Sequence, residues 1–299
     1  MRVFVWAALA LLTACQSVAP LPPLPAWQGR EGLQHADLGL IRDLRSGATL
    51  TPAQLLEQLA DAPRVLIGEQ HDNADQHALQ LWLLKALQQR RESGSLLLEM
   101  LNPEQQTKVA ATQAASRARQ MPVALPAALA WQASWDWALY GPIIRYALLQ
   151  PAPLLAANLD RDEIMTLYRT PPRLPVGQAT QAPVQAALLA QIETAHCGLL
   201  PAAQLPAMLA VQQQRDRRMA ERLLAAPTPA VLLAGAFHVR RDLGVPLHLQ
   251  DLAPQVSGER VLMLAEVGQR VSAASADFVW YTPAMPAQDH CASMRPSTR

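Results

Sequence analysis

The chain has 299 residues, with 25 basic and 24 acidic side chains and a formal net charge of +1. That balance excludes the basic footprint of a nucleic-acid-binding surface. The length suits one large domain with room for a smaller subdomain.

The first element in chain order is a leader. Arg2 precedes an apolar run from Val3 to Leu12. A bilayer span takes roughly 20 apolar residues, so the run reads as the core of a signal peptide over residues 1–14. It ends in Leu12-Thr13-Ala14-Cys15, which resembles the bacterial lipobox. The expectation is cleavage before Cys15, acylation of that cysteine (palmitate among the chains) and a lipoprotein held at the periplasmic face of a membrane. Several acyl chains anchor firmly where one binds only marginally. Gln16 and Ser17, with no aspartate, point to the outer rather than the inner membrane. Residues 15–30 are proline-rich and read as an extended tether. No later run is long and apolar enough to span.

Residues 31–282 read as a single α/β domain. Five short apolar runs read as strands: 64–68, 95–99, 153–157, 230–235 and 260–265. They lack strict alternation, the pattern of a strand covered on both faces. Thr51-Pro52-Ala53-Gln54 has the form of a capping box that opens a helix to about Asp61. Asn73 caps a helix to about Arg91, and Pro103 opens another to about Arg119. Further helices are expected at 137–149, 161–169, 183–195 and 202–225. Strand-helix alternation predicts a mainly parallel β-sheet flanked by helices. Residues 102–150 and 170–226 are too long for single crossovers and are expected to form a smaller helical cap. Residues 31–50 and 277–282 offer edge strands, and residues 283–299 form a polar tail. Beyond Cys15, Cys197 and Cys291 remain. An even pair in an oxidising compartment predicts one disulfide, pinning the tail to the middle of the chain.

Chemistry gathers at the ends of the runs. The first leads into Glu69-Gln70-His71-Asp72, the second into Glu99, the third into Asn158-Leu159-Asp160-Arg161, the fourth into His238-Val239-Arg240-Arg241-Asp242 and the fifth into Glu266. In a parallel sheet these ends share one edge, where open α/β sheets place ligands. Glu69, His71, Glu99 and His238 are candidate acid–base or metal-binding groups. A lone histidine is more often a satisfied core residue, whereas two histidines with two glutamates on one edge favour function. His77 either faces that site or solvent. The sequence carries no phosphate-binding glycine loop, no serine-hydrolase elbow and no H-E-x-x-H motif. Trp131, Trp135, Trp137, Tyr140 and Tyr146 form an aromatic cluster. It packs a cap on the sheet in the plain reading, or walls a flat apolar ligand in the sharper one.

The segment Gly68-Glu69-Gln70-His71-Asp72-Asn73 with His77 resembles the ChaN-like haem-binding uptake lipoprotein family. So do Glu99-Met100, the Trp131/Trp135/Tyr140 spacing, Ala157-Asn158-Leu159, His196-Cys197-Gly198, Gln213/Arg215-Asp216 with Met219-Ala220, and Gly235-x-x-His238-Val239-Arg240-x-Asp242 with Gly244-Val245-Pro246. More distantly, the glutamate and histidine tips resemble those of erythromycin esterases and Tiki/TraB-type proteins. The family resemblance implies a lipoprotein that binds haem for haem or iron uptake, as a homodimer. It implies iron held by a tyrosine, with Tyr168 and Tyr140 as the candidates. An outer-membrane haem receptor would be a partner. With only Lys85 and Lys108 as lysines, the propionates would fall to Arg161, Arg240 or Arg241, and His71, His77 and His238 are further candidates for contact with the haem. The alternative is a hydrolase, metal-assisted or not, that uses Glu69, His71, Glu99 and His238. A binding protein is the stronger expectation of the two.

Overall fold

The computed structural model describes residues 20–92, 94–287, 289 and 291–292. The expected leader and Cys15, the expected acylation site, lie outside these residues, as does His290. Eight strands form one sheet. They are β1 (Ile41–Asp43), β2 (Thr49–Leu50), β3 (Arg64–Glu69), β4 (Ser95–Leu98), β5 (Leu154–Ala156), β6 (Ala230–Gly235), β7 (Arg260–Glu266) and β8 (Phe278–Thr282). Their order is β2-β1-β8-β7-β3-β6-β4-β5. The strands from β8 to β5 pair in parallel, and β1 lies antiparallel to both β8 and the edge strand β2.

The central strands are buried on both faces, which explains their unbroken apolar runs. On one face Val65 and Ile67 of β3 and Val231 and Leu233 of β6 join a core with α1 (Pro52–Ala60), α2 (Ala74–Gln88), α3 (Gln106–Arg117) and α5 (Trp137–Leu148). On the other, Leu66, Leu232 and Ala234 pack on α8 (Leu205–Ala225) and α10 (Val245–Leu252). The short α4 (Leu125–Ala128) precedes α5. Helices α6 (Arg161–Arg169) and α7 (Ala182–Ala195) pack outside on α8, and α9 (Ala236–Val239) follows β6 directly.

The helix starts follow from local chemistry. Thr51 and Gln54 exchange hydrogen bonds in a reciprocal cap of α1, and the Asn73 side chain accepts from the backbone of Asp75 and Gln76. Residues 102–150 do not stand apart as a lid. They supply a layer of the first core, and their stretch from Trp131 to Tyr140 reaches the carboxyl edge, where Tyr140 meets Glu69 and Trp135 meets His71. The tether is also less free than expected: Asp75 accepts from the backbone N–H groups of Gln28 and Gly29, and the Trp82 indole donates to the carbonyl of Pro22. Cys197 and Cys291 form the expected disulfide, with a sequence separation of 94. Among the described residues, no helix is long and apolar enough to cross a membrane.

Candidate functional site

The parallel register sets Glu69 beside Gly235 at the carboxyl ends of β3 and β6, and Glu99 follows β4 on the other side of β6. Two carboxylate–imidazole assemblies grow from this edge. In the first, the His71 Nδ1–H donates to Glu69 Oε1 at 2.7 Å, and the Tyr140 hydroxyl donates to the same oxygen at 3.0 Å. The His71 side chain is 46% exposed, while Glu69 is fully buried. Burial opposes charge on His71, yet the hydrogen bond and charge of Glu69, with Glu99 behind it, raise its pKa above the ordinary value. Trp135 stands edge-on to the ring at 4.9 Å.

In the second assembly, His238 lies between two carboxylates. Its Nδ1–H donates to Asp216 Oδ1 at 2.5 Å, and its Nε2 lies 3.2 Å from Glu99 Oε1. Burial disfavours the charged ring, but Glu99 and Asp216 outweigh it and push its pKa up to about 10. Burial likewise disfavours the charge on Glu99, and the His238 cation overrides it, holding the carboxyl well below the usual range. Glu99 Oε2 accepts from the backbone N–H of Gly235 at 2.8 Å. The two assemblies meet over that glycine: a Cβ there would sit 2.8 Å from His71 Cε1 and 3.5 Å from Glu99 Oε2. His238 is therefore a fixed cation. His71 is the imidazole free to exchange a proton at the surface.

Above this floor opens a cleft of about 1040 Å³. Its walls come from α7 (Ile192, Ala195) and His196 just after it, α8 (Met208, Val211, Arg215), the segment after β7 (Gln269, Arg270) and the tail at Met285–Ala287. Size and mixed lining suit a large amphipathic ligand.

The family profile described as "Haem-binding uptake, Tiki superfamily, ChaN" matches residues 55–249. The chain belongs to that family. Among solved structures, ChaN of Campylobacter jejuni, described as showing cofacial heme binding, is 26% identical, with 81% of this chain and 95% of that one covered and a TM-score of 0.72. An erythromycin esterase mutant in its open conformation is 14% identical, with 83% and 84% covered and a TM-score of 0.44. A Bacillus cereus protein is 11% identical, with 71% and 68% covered and a TM-score of 0.39. Likeness at these last two levels carries nothing further. No curated protein matches the chain.

Within this ChaN-family fold the expected site residues divide. Glu69, His71, Glu99 and His238 come together as the sheet topology required. His77 turns inward, its Nε2 at 3.1 Å from the carbonyl of His71 and its ring against Tyr140. Asn158 supports the edge by donating to the Glu99 carbonyl, and Glu266 accepts from Asn73 and from the backbone of Met285. Asp160 caps α6 instead of joining the chemistry.

Tyr140 is 1% exposed, committed to Glu69, and has its pKa raised by burial and by the Glu69 charge. Tyr168 is half-buried on α6 and does not line the cleft. Arg240 is held by both oxygens of Asp242, and Arg241 by Asp277. Arg161 is exposed at the start of α6. None of these three arginines lines the cleft. Asp216, the second anchor of His238, was visible in the sequence only as part of the family motif, although an acidic residue amid the helix 202–225 was a signal. Among the described residues, no three His, Cys, Asp or Glu side chains are disposed to hold a metal ion.

Proposed function

We propose that this chain binds haem for haem or iron uptake, seated in the cleft above the histidine edge. Membership of a haem-binding uptake family carries the reading, and the residues lining the cleft fit the group. The cleft has an apolar wall for a macrocycle, arginines for its carboxylates and an imidazole, His196, on the same wall. Of the four tyrosines, Tyr140 is buried against Glu69, Tyr146 donates to Gln88 and Tyr281 lies buried in β8. Tyr168 is the one left for iron. It does not line its own cleft, so a second copy of the chain would present it, which makes the competent form a homodimer. A lipid on Cys15 would hold the protein at the periplasmic face of the outer membrane, within reach of a haem receptor.

Hemin titration with sizing chromatography tests this. A Soret band of tyrosinate type, a shift to dimer and loss of both in Tyr168→Phe are expected. An unchanged spectrum in that variant overturns the tyrosine assignment and moves it to His196. Absence of stoichiometric hemin binding overturns the function.

A second reading is favoured by one observation, the meeting of two carboxylate-backed histidines at the cleft floor. His71, oriented by Glu69, would serve as a general base for hydrolysis, with the charged His238 and Glu99 as fixed electrostatic support. Turnover of ester or amide substrates that is lost in His71→Ala would support it. Inertness across such a panel would remove it.

A further inference from the structure

Six of the arginines among the described residues pair with a carboxylate: Arg42 with Asp37, Arg45 and Arg241 with Asp277, Arg217 with Glu221, Arg218 with Glu163 and Arg240 with Asp242. Two that line the cleft do not. Arg215 on α8 and Arg270 after β7 have no ion-pair partner among the described residues. Arg215 Nε is moreover shut off from solvent with no hydrogen-bond partner. A buried donor left unpaired is costly, and native proteins keep few such groups. Two buried side-chain atoms without a hydrogen-bond partner belong to the walls of this cleft, Arg215 Nε and Gln191 Oε1, whereas Glu69 Oε2 turns inward to His77 Nε2 at 3.8 Å. The cleft wall thus holds one donor and one acceptor that the protein itself leaves unused.

We infer that Arg215 and Arg270 form a carboxylate-binding pair that orients an amphipathic dicarboxylate in the cleft. The acid groups meet the two guanidinium ions, and the apolar body lies along Ile192, Met208, Val211 and Phe237. The guanidinium fork accepts a carboxylate through two parallel N–H···O bonds. Both arginines come from the chain that forms the cleft, so the acid end of the ligand is recognised without help from a partner. Gln191 Oε1 is left to accept from a protonated acid or from a polar edge of the ligand. This inference rests on the haem reading for the identity of the ligand, whose two propionates are the carboxylates in question.

The full chain is titrated by fluorescence quenching with hemin, with iron-free protoporphyrin IX and with protoporphyrin IX dimethyl ester. Hydrogen bonds to charged groups contribute roughly 1.5–3 kcal/mol each, so the diacid is expected to bind at least about ten-fold more tightly than the diester. Arg270→Gln, at an exposed position, and Arg215→Lys, which keeps the charge and loses the fork, should each shrink that preference, and Arg215→Gln should shrink it further. Diester affinity should stay level in all three. Equal affinity of the native protein for diacid and diester overturns the pairing while leaving haem binding standing. So does a fall in both affinities together in the arginine variants. Failure of hemin itself to bind overturns the haem reading and this inference with it.

Discussion

Asp216→Asn keeps the shape of the side chain and removes one of the two charges around His238, so its effect isolates electrostatics from packing. A histidine that holds its proton to about pH 10, against an ordinary 6.5, is stabilised as a cation by about 5 kcal/mol, at about 1.36 kcal/mol per pH unit. That figure is shared between Glu99 and Asp216, and the Asp216 bond is the shorter. At pH 7 the substitution should therefore cost about 2–3 kcal/mol, less than the loss from breaking a buried pair outright, because the ring keeps Glu99 or sheds its proton. In a domain of this size that is a fall in Tm of roughly 5–10 °C. The pH dependence has a definite sign. The folded pKa lies above the unfolded one, so the contribution is complete below about pH 6.5 and is lost as pH rises through about 10. Urea unfolding from pH 6 to 10 should show native stability falling across that window, and the variant reaching its floor at lower pH. A variant within about 0.5 kcal/mol of the native protein at pH 7, with a parallel pH profile, would refute the claim that His238 is a buried cation.

Other changes probe the same edge and its supports. Gly235→Ala places a Cβ 2.8 Å from His71 Cε1; overpacking of this kind costs roughly 1–3 kcal/mol, and urea unfolding together with a displaced His71 imidazole resonance would register it. Tyr140→Phe removes one of the two donors to Glu69 Oε1; a stability loss of about 1 kcal/mol by thermal melting is expected, with the His71 titration moved. Cys197→Ser opens a loop of 94 residues, for which the chain-entropy model gives at most about 5 kcal/mol; the native protein under reductant should melt at the same temperature as the variant.

Strand positions were legible because the sheet is covered on both faces: runs such as Val65-Leu66-Ile67 alternate between two cores, so every position is apolar. Capping residues Thr51 and Asn73 placed helix starts to the residue. The short α9 and the helix α10 were missed because each lies directly after a motif read for its chemistry, and four residues of α9 are too few to show a period. The convergence of Glu69, His71, Glu99 and His238 followed from topology alone. Pairing within that set did not. That Tyr140 serves Glu69, that Asp216 reaches His238 from 22 residues away, and that Arg240 is spent on Asp242 are facts of side-chain geometry. Arg215 and Arg270 could not be told from the paired arginines until their surroundings were known.

The two histidines occupy equivalent places in the sequence, each three residues beyond a glycine at a strand end, Gly68 and Gly235. Their fates differ because of one residue of register. Gly68 pairs with Ala234, and Gly235 stands opposite Glu69, so β3 runs one residue past its glycine and delivers a carboxylate where β6 delivers none. The chain after Glu69 then turns before the cap at Asn73, leaving His71 at the surface with one carboxylate. After Gly235 the chain enters α9 at once, and that turn presses His238 onto α8 and its Asp216. One imidazole is thereby locked as a cation, and the other is left to respond to pH and to whatever occupies the cleft. Imidazole resonances followed by NMR should show His71 titrating above 6.5 and shifting when protoporphyrin IX is added, while His238 shows no titration between pH 5 and 8. A His238 that titrates near neutrality, or a His71 that does not titrate at all, would mean the two sites are not divided in this way.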